Sequence, residues 1–279
     1  MFSRRRQSDY TILDQEAPKP ETEESTFRFT NNGSAEMPRN SSRNGNREDL
    51  FGREPFLSLR TKQGSPILTF PTTTVDAHRY MVTRLLVNQE LPQRTAIVSA
   101  IREEGVTYNA LALATLLACD TPKRICYVDL NWWYPAPQLQ TATKYNRGIA
   151  ALLQQNAEWN DTLVATNYGN LSLLPAGDLA PQQRAVTARS GVLAELLAEL
   201  SAQFDHLVLD VPAILTTSDA IPLAALADAG CVVIRHGVSS GDLTKRALAD
   251  IAHLPMLGVI MNRTGSNIPA WLLKWIPQE

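Results

Sequence analysis

A short polar loop in this 279-residue sequence has the setting that phosphate chemistry requires. Residues 101–105 follow an apolar run at 96–100 and precede Val106 and Thr107, which open an Ala/Leu-rich segment. A buried strand, a tight loop and a helix N-terminus together direct backbone N–H groups and the helix dipole at an anion. The sequence therefore predicts the frame of a phosphate-binding loop.

The main cation of such a loop is missing here. The residue before the Ser or Thr is normally a lysine that reaches the β- and γ-phosphates, and in this sequence it is Val106. Arg102, at the start of the loop, is the candidate replacement. The sequence thus predicts a nucleotide-binding frame that lacks its strongest contact.

Two aspartates extend this pattern. Asp129 ends the apolar run ICYVD, and Asp210 ends the run LVLD. In an open parallel sheet, ligands bind beyond the carboxyl ends of the strands. Together with Thr107, the two acids would supply oxygen ligands to Mg²⁺ beside a bound phosphate. One strand-end aspartate is explained equally well as a helix cap, but the pair and the loop threonine favour a nucleotide site.

The elements that would position these residues alternate along the chain. An amphipathic helical pattern begins near residue 74, and the apolar runs are near-continuous in Val, Ile and Leu, as in strands covered on both faces. We expect a doubly wound α/β fold, with a mostly parallel sheet and helices on both faces, like that of P-loop NTPases. The expected strands are 96–100, 124–129, 171–175, 206–211, 231–235 and 257–262, and the later helices are 106–118, 147–155, 187–202, 219–226 and 242–252.

Composition bounds the domain organisation and the class of protein. Residues 1–50 are too polar to bury a core and are expected to form a disordered tail, whereas residues 51–279 are expected to form a single domain. A net charge of −2 argues against nucleic-acid binding. The three cysteines match no zinc or redox spacing, and no apolar run is long enough to span a bilayer. A cytoplasmic location is expected.

Motifs in the second half of the sequence carry a specific resemblance. They are Asp210 with Pro212, the element 218–220 (SDA), the pair Asn262 and Arg263, the segment LSLLPAGDLAP at 171–181 and RICYVDLNWWYP at 124–135. In order and type they resemble the bacterial tyrosine kinases of capsule and exopolysaccharide synthesis, which belong to the ParA/MinD-like ATPases. The resemblance covers about residues 75–263. It implies an ATP/Mg site, with these cofactor-binding positions: Arg102, Glu103, Glu104, Gly105, Val106, Thr107, Tyr108, Asn262 and Arg263.

The sequence also departs from the family at the positions that act on phosphate. The family loop reads Pro-Gly-Glu-Gly-Lys-Ser/Thr, and residues 102–107 keep only the Glu, the second Gly and the Thr. The second acidic motif keeps Asp129 but has Asn131, Trp133 and Tyr134 in place of an acid and two arginines. The family's helix motif Glu-x-x-Arg-x-x-Arg has Val82 in place of its second arginine. No tyrosine follows Tyr168 in the sequence.

These departures favour a loss of catalysis. A charged hydrogen bond contributes roughly 1.5–3 kcal/mol, so loss of the lysine alone weakens nucleotide binding by about tenfold to a hundredfold. The leading hypothesis is a degenerate relative with vestigial Asp129 and Asp210 and weak or absent ATP/Mg binding. It would act as a regulator or scaffold in exopolysaccharide or capsule synthesis and export. The alternatives are an active tyrosine kinase that uses Arg102 and phosphorylates Tyr10 or a partner, and a ParA/MinD-like positioning ATPase.

The resemblance also implies partners. The expected partner is a membrane polysaccharide chain-length or export protein, which would hold the chain at the inner face of the membrane. A homo-oligomer, or a hetero-oligomer with an active kinase, is a further expectation. Residues 132–134 (WWY) are read either as an aromatic contact patch or as a cover for the end of the sheet. Trp271 and Trp275 are spaced i, i+4, which favours docking on the domain over contact with a membrane surface.

Overall fold

The structure is a computed structural model, and it describes residues 56–88, 90–140 and 147–264. The expected tail at 1–50 lies outside the described residues, as do Trp271 and Trp275. The described chain begins with an antiparallel hairpin of strands β1 (Phe56–Arg60) and β2 (Pro66–Pro71), which the sequence pattern did not indicate.

The central sheet of the described chain has seven strands. They are β3 (Arg94–Ser99), β4 (Ile125–Asp129), β5 (Val164–Ala165), β6 (Leu171–Leu174), β7 (His206–Asp210), β8 (Ala229–Arg235) and β9 (Met256–Asn262). Their order across the sheet is β5-β6-β4-β7-β3-β8-β9. Every pairing is parallel except that of the short edge strand β5 with β6. The predicted doubly wound, mostly parallel α/β fold is confirmed.

Helices cover both faces of this sheet. They are α1 (Thr72–Val87), α2 (Val106–Asp120), α3 (Pro137–Gln140), α4 (Ile149–Leu153), α5 (Trp159–Thr162), α6 (Pro181–Ala188), α7 (Gly191–Gln203), α8 (Ala220–Ala224) and α9 (Gly241–Asp250). One apolar cluster joins α1 and α2 to one face, and a second joins α7 to the other. The loop after β3 therefore lies at the middle of the carboxyl edge, between the neighbouring strands β7 and β8.

One predicted helix was wrong. The single helix expected at 187–202 is two helices, because the chain leaves the helical conformation at Arg189 and Ser190. The Ser190 hydroxyl accepts the backbone N–H of Leu193 and so begins α7 as an N-cap. The earlier helix starts at Pro181, a residue suited to a first helical position.

The strands differ in how completely they are covered. Strands β4 and β7 are almost wholly buried, as predicted for central parallel strands. Strand β9 lies at the edge of the sheet, with Val259 60% exposed and Met261 53% exposed. In the described residues no helix combines the length and the apolar character needed to cross a bilayer.

Candidate functional site

The phosphate-loop frame predicted from the sequence is formed. Strand β3 ends at Ser99, and α2 begins at Val106, so that residues 100–105 make the turn between them. Glu103 has φ +66° and Gly105 has φ +103°, and a positive φ is uncommon for a residue such as glutamate. Glu103 therefore takes up a backbone shape suited to glycine, and its side chain remains exposed.

The carboxylate of Glu104 holds this loop together from inside. Glu104 is only 1% exposed, and its Oε2 accepts the backbone N–H of Ile101 at 2.9 Å. Its Oε1 accepts the hydroxyl of Ser239, which lies in the turn after β8. Because both oxygens have protein donors, the Glu104 side chain stabilises the loop and is absent from the lining of the adjacent cavity.

Two asparagines brace the loop at the start of α2. Asn262, at the end of β9, donates its amide to the Glu104 carbonyl at 2.8 Å, and Asn109 donates to the Gly105 carbonyl at 2.8 Å. A Cβ at Gly105 would overlap the Asn262 amide. Position 105 thus requires glycine both for its left-handed backbone and for this close approach.

The two predicted aspartates end neighbouring strands and are paired in register, Asp129 of β4 with Asp210 of β7. Asp129 accepts backbone N–H groups from Asn131 and Ala136, each at 2.9 Å, one on each oxygen. Asp210 accepts the Tyr127 hydroxyl at 2.7 Å on Oδ2. Its Oδ1 is buried and has no hydrogen-bond partner among the described residues. Of these two acids, Asp210 alone therefore keeps an oxygen without a partner among the described residues.

The electrostatics of this pair follow from its burial. Burial raises the pKa of Asp210 to about 6, and the nearby Thr107 hydroxyl and the Tyr127 hydroxyl, which donates to Oδ2, oppose the rise. Burial and the charge of Asp210 raise the pKa of Asp129 well above its ordinary value. Two adjacent buried carboxylates without a counter-charge are costly, so this arrangement favours a proton or a cation between them.

These residues fit a magnesium ion in their chemistry. Hard cations prefer oxygen ligands, and the unpartnered Oδ1 of Asp210 with the nearby Thr107 hydroxyl supplies two of them. Asp129 would act mainly as a nearby negative charge, because both of its oxygens already accept backbone N–H groups. A bound Mg²⁺ would neutralise phosphate charge at this edge. The described residues contain no cluster of three or more His, Cys, Asp or Glu side chains placed to hold a metal.

Aromatic residues form the opposite wall of the cavity. The cavity is about 300 Å³ in volume, and Trp133 and Tyr134 line it together with the loop. The Arg102 guanidinium lies over the Tyr134 ring, 3.2 Å from the ring centroid. Trp132 is instead 2% exposed and donates its indole N–H to the Ala176 carbonyl at 3.0 Å. Trp132 therefore lies in the core, whereas Trp133 and Tyr134 line the cavity.

The predicted cofactor positions fall into three groups. Arg102, Glu103, Gly105, Val106, Thr107 and Tyr108 line the cavity, and the Glu104 carboxylate turns away from it. Asn262 and Arg263 line a separate groove between α1 and β9, which Gly105 and Tyr108 also reach. Val106 is half-buried and packs against the apolar cluster under α1 and α2, so an apolar side chain suits this position.

Sequence reasoning missed Tyr127 and Ser239 as parts of this site. Tyr127 lies inside β4 and reads as a core residue, and its hydroxyl reaches Asp210 only because β4 and β7 are adjacent. Ser239 follows β8, so its position at a strand's carboxyl end was the available signal. Its contact with Glu104 bridges 135 residues of sequence.

The chain is similar to proteins of polysaccharide synthesis. A family model described as the cellulose biosynthesis protein BcsQ matches residues 136–263. The succinoglycan biosynthesis transport protein ExoP of Rhizobium meliloti is 29% identical over 218 residues, which are 76% of this chain and 27% of ExoP. The tyrosine-protein kinase YwqD of Bacillus subtilis is 27% identical over 168 residues, 60% of this chain and 70% of YwqD. The match thus spans about a quarter of the first relative.

Solved structures confirm the same architecture. The kinase domain of VpsO superposes with a TM-score of 0.62 at 25% identity, over 70% of this chain and 96% of that domain. The septum site-determining protein MinD of Pyrococcus horikoshii, solved with Mg-ADP, superposes with a TM-score of 0.52 at 22% identity, over 65% of this chain and 76% of MinD. The fold is that of bacterial tyrosine kinase domains and MinD-like ATPases, as the sequence motifs indicated.

Proposed function

We propose that this chain is a catalytically degenerate relative of the bacterial tyrosine kinases of exopolysaccharide synthesis, and that it regulates or scaffolds polysaccharide synthesis or export. One observation carries the proposal. The phosphate loop has its left-handed residues, Glu103 and Gly105, and its metal-side Thr107, but Val106 stands where the phosphate-binding cation belongs. The backbone is suited to a nucleotide, and the electrostatic contact is lost.

The electrostatics support loss of the chemical step more strongly than loss of binding. Phosphoryl transfer depends on fixed positive charge around the transferred group, and Val106 supplies none. The exposed carboxylate of Glu103 adds a negative charge near the same place. Weak binding of Mg-ATP through Gly105, Thr107 and Asp210 is compatible with this proposal, whereas appreciable phosphoryl transfer is not.

Similarity to export proteins supports the proposed partner. The relative ExoP is named a transport protein for succinoglycan biosynthesis, and the match covers 27% of it. We infer that this chain binds a membrane protein that controls polysaccharide chain length or export, at the cytoplasmic side of the membrane. A homo-oligomer or an assembly with an active kinase would serve the same regulatory role.

One observation favours a second candidate function, an active tyrosine kinase. Arg102 lines the same cavity as Val106 and carries the guanidinium that stacks on Tyr134. If this side chain moved from the ring to the loop, it would bring a cation to the phosphates. In this second function Arg102 replaces the missing lysine.

The two functions are separated by a phosphorylation assay on the purified full chain. The protein is incubated with Mg-ATP and probed for phosphotyrosine, with Asp210→Ala as the matched inactive control. Nucleotide binding is measured in parallel by calorimetric titration. The proposal expects no phosphotyrosine above the control and weak binding at most. Phosphotyrosine that appears in the parent and is lost in both Asp210→Ala and Arg102→Gln would establish the active kinase instead.

A further inference from the structure

A large groove lies at the far edge of the sheet from β5, between α1 and β9. Its volume is about 1080 Å³, more than three times that of the cavity at the phosphate loop. On the β9 side, Ile260 is only half-buried, and no described atom lies within 4 Å of a Cβ placed on Gly258. On the α1 side, Met81 is half-buried and Tyr80 is 70% exposed. The described residues therefore leave this end of the sheet without a covering helix.

Such an opening is unusual for this type of fold. In a doubly wound sheet both faces of the strands are normally covered, and an exposed apolar edge strand promotes aggregation. The neighbouring strand β8 has the buried residues Cys231 and Val233 on the same face, where α1 and α2 complete the cover. On this face, the uncovered part of the described sheet is thus confined to β9. The open space is about as large as one short secondary-structure element.

The groove also contains a buried polar atom without a partner. His78 of α1 is 5% exposed, and its Nδ1 lies 2.9 Å from the Thr74 carbonyl, an arrangement in which Nδ1 carries the proton. Its Nε2 is then an acceptor, and no described donor meets it at normal hydrogen-bond geometry, although the Asn109 side chain lies close enough to influence the pKa of His78. A buried acceptor without a donor costs free energy. An apolar segment that carries an N–H donor would therefore suit this groove.

We propose that residues 268–276 of this same chain form a short helix that docks in the groove. Five residues separate this segment from the end of β9, and the sequence places apolar side chains at Ile268, Trp271, Leu272, Trp275 and Ile276. This spacing of i, i+3, i+4, i+7 and i+8 forms one continuous stripe on a helix. Both tryptophans carry an indole N–H, which acts only as a donor and so matches the free acceptor of His78.

The dimensions agree with this assignment. A nine-residue helix is roughly 14 Å long, and the strand from Gly258 to Asn262 is roughly 16 Å long. Thr264, which follows β9, already lines the groove. Residues 265–267 remain as a connection, a length that is common between a strand and the helix packed on it. The segment would add one more βα unit to the sheet.

The test uses amide hydrogen exchange, followed by mass spectrometry, on the full chain. We expect the amides of residues 270–276 to exchange at least about tenfold more slowly than in an unstructured peptide, because docking protects them. Gly258→Glu places a charged side chain in the open space of the groove and should abolish this protection. Val192→Glu is the matched control, because Val192 lies on α7 and is 55% exposed. It should leave residues 270–276 protected.

A second variant keeps the test decisive if Gly258→Glu does not fold. Trp271→Ser combined with Trp275→Ser changes only the proposed occupant, and it should speed exchange in residues 258–262 while residues 106–118 remain protected. Exchange of 270–276 at the unstructured rate in the parent would overturn the proposal. Protection that grows with protein concentration would assign the groove to a second copy, and protection that requires vesicles containing phosphatidylglycerol would assign the segment to a lipid surface. Either result overturns docking within the chain.

Discussion

The strand-end acids and the phosphate loop keep different parts of a nucleotide site. Asp129 and Asp210 are 1% and 0% exposed, and each has at least one protein hydrogen bond inside the core. In the loop, Arg102 and Glu103 are exposed. A buried, hydrogen-bonded acid is tied to the folding of the sheet, because its replacement leaves donors such as the Tyr127 hydroxyl without partners. An exposed loop side chain contributes little to folding, so it can change without loss of the fold.

The loop itself also contains both a buried, hydrogen-bonded acid and an exposed one. Glu104 is 1% exposed, is held by Ile101 and Ser239, and matches the family pattern. Its neighbour Glu103 is exposed and does not match that pattern. Interior contacts therefore maintain the loop's shape, independently of the side chains that would meet a phosphate.

The largest effect is expected when the loop backbone itself is disturbed. Gly105→Ala forces a Cβ into a residue at φ +103° and against the Asn262 amide, so it should lower the free energy of unfolding by about 3 kcal/mol. Gly64→Ala is the matched control, because Gly64 has φ +91° with no described atom near its Cβ. There the loss should be about 1 kcal/mol. Urea denaturation measures both, and equal losses would show that the Asn262 contact does not matter.

The next effect concerns the charge on the strand-end acids. Burial raises the pKa of Asp210 to about 6, so the folded chain holds a proton that the unfolded chain has released between about pH 4 and pH 6. Without metal, stability should fall as the pH rises through this window. Asp210→Asn cannot ionise, so it should weaken this dependence and raise the free energy of unfolding by up to about 3 kcal/mol near pH 8, while the raised pKa of Asp129 maintains the remaining dependence.

Asp129→Asn should have the opposite effect on stability to Asp210→Asn. The new amide can accept only one of the two N–H groups that Asp129 now accepts, and its NH₂ group faces the other. It should therefore be less stable than Asp210→Asn at every pH, as measured by urea denaturation in buffer with EDTA. Identical behaviour of the two variants would contradict the distinct roles given to the two acids.

A smaller effect is expected when only the loop side chains are restored. Glu103→Gly combined with Val106→Lys returns a cation and removes a competing carboxylate, while the backbone stays as it is. The double variant should bind Mg-ATP about tenfold more tightly than the parent. The gain should exceed the sum of the two single variants, because groups that share one ligand are coupled. Calorimetric titration of all four proteins tests this. No gain in the double variant would mean that the loop is remodelled for another purpose.

The smallest effect is expected when the contact between Arg102 and the Tyr134 ring is removed. Tyr134→Leu removes the ring under Arg102, and both side chains are at the surface, so the free energy of unfolding should fall by less than about 1 kcal/mol. Binding of Mg-ATP should be unchanged or slightly stronger, since the guanidinium is freed. Phe at the same position, which keeps the ring face, is the control. A clear loss of binding would place Tyr134 itself in contact with the nucleotide.

Much of the site could be predicted because it depends on local patterns. The apolar runs that end in Asp129 and Asp210 and the loop before Thr107 mark strand ends and a helix start within a few residues of sequence. Parallel strands then bring their carboxyl ends to one edge, so the approximate meeting of these residues followed from the order of the elements. The hairpin of β1 and β2 was missed although its pairing is local, because Pro66 and Pro71 bound β2 and argue against a strand.

The α/β order, the phosphate-loop frame and the absence of its lysine can be read from local sequence, because each depends on neighbouring residues. Which of the site residues have atoms available to a ligand depends on the tertiary structure. In the folded chain, both oxygens of Asp129 accept backbone N–H groups, and one oxygen of Asp210 has no partner among the described residues. The Glu104 carboxylate accepts the Ser239 hydroxyl, and the Arg102 guanidinium lies over the Tyr134 ring. These outcomes depend on hydrogen bonds and stacking between segments that are distant in sequence, and strand order, rather than local pattern, brings those segments together.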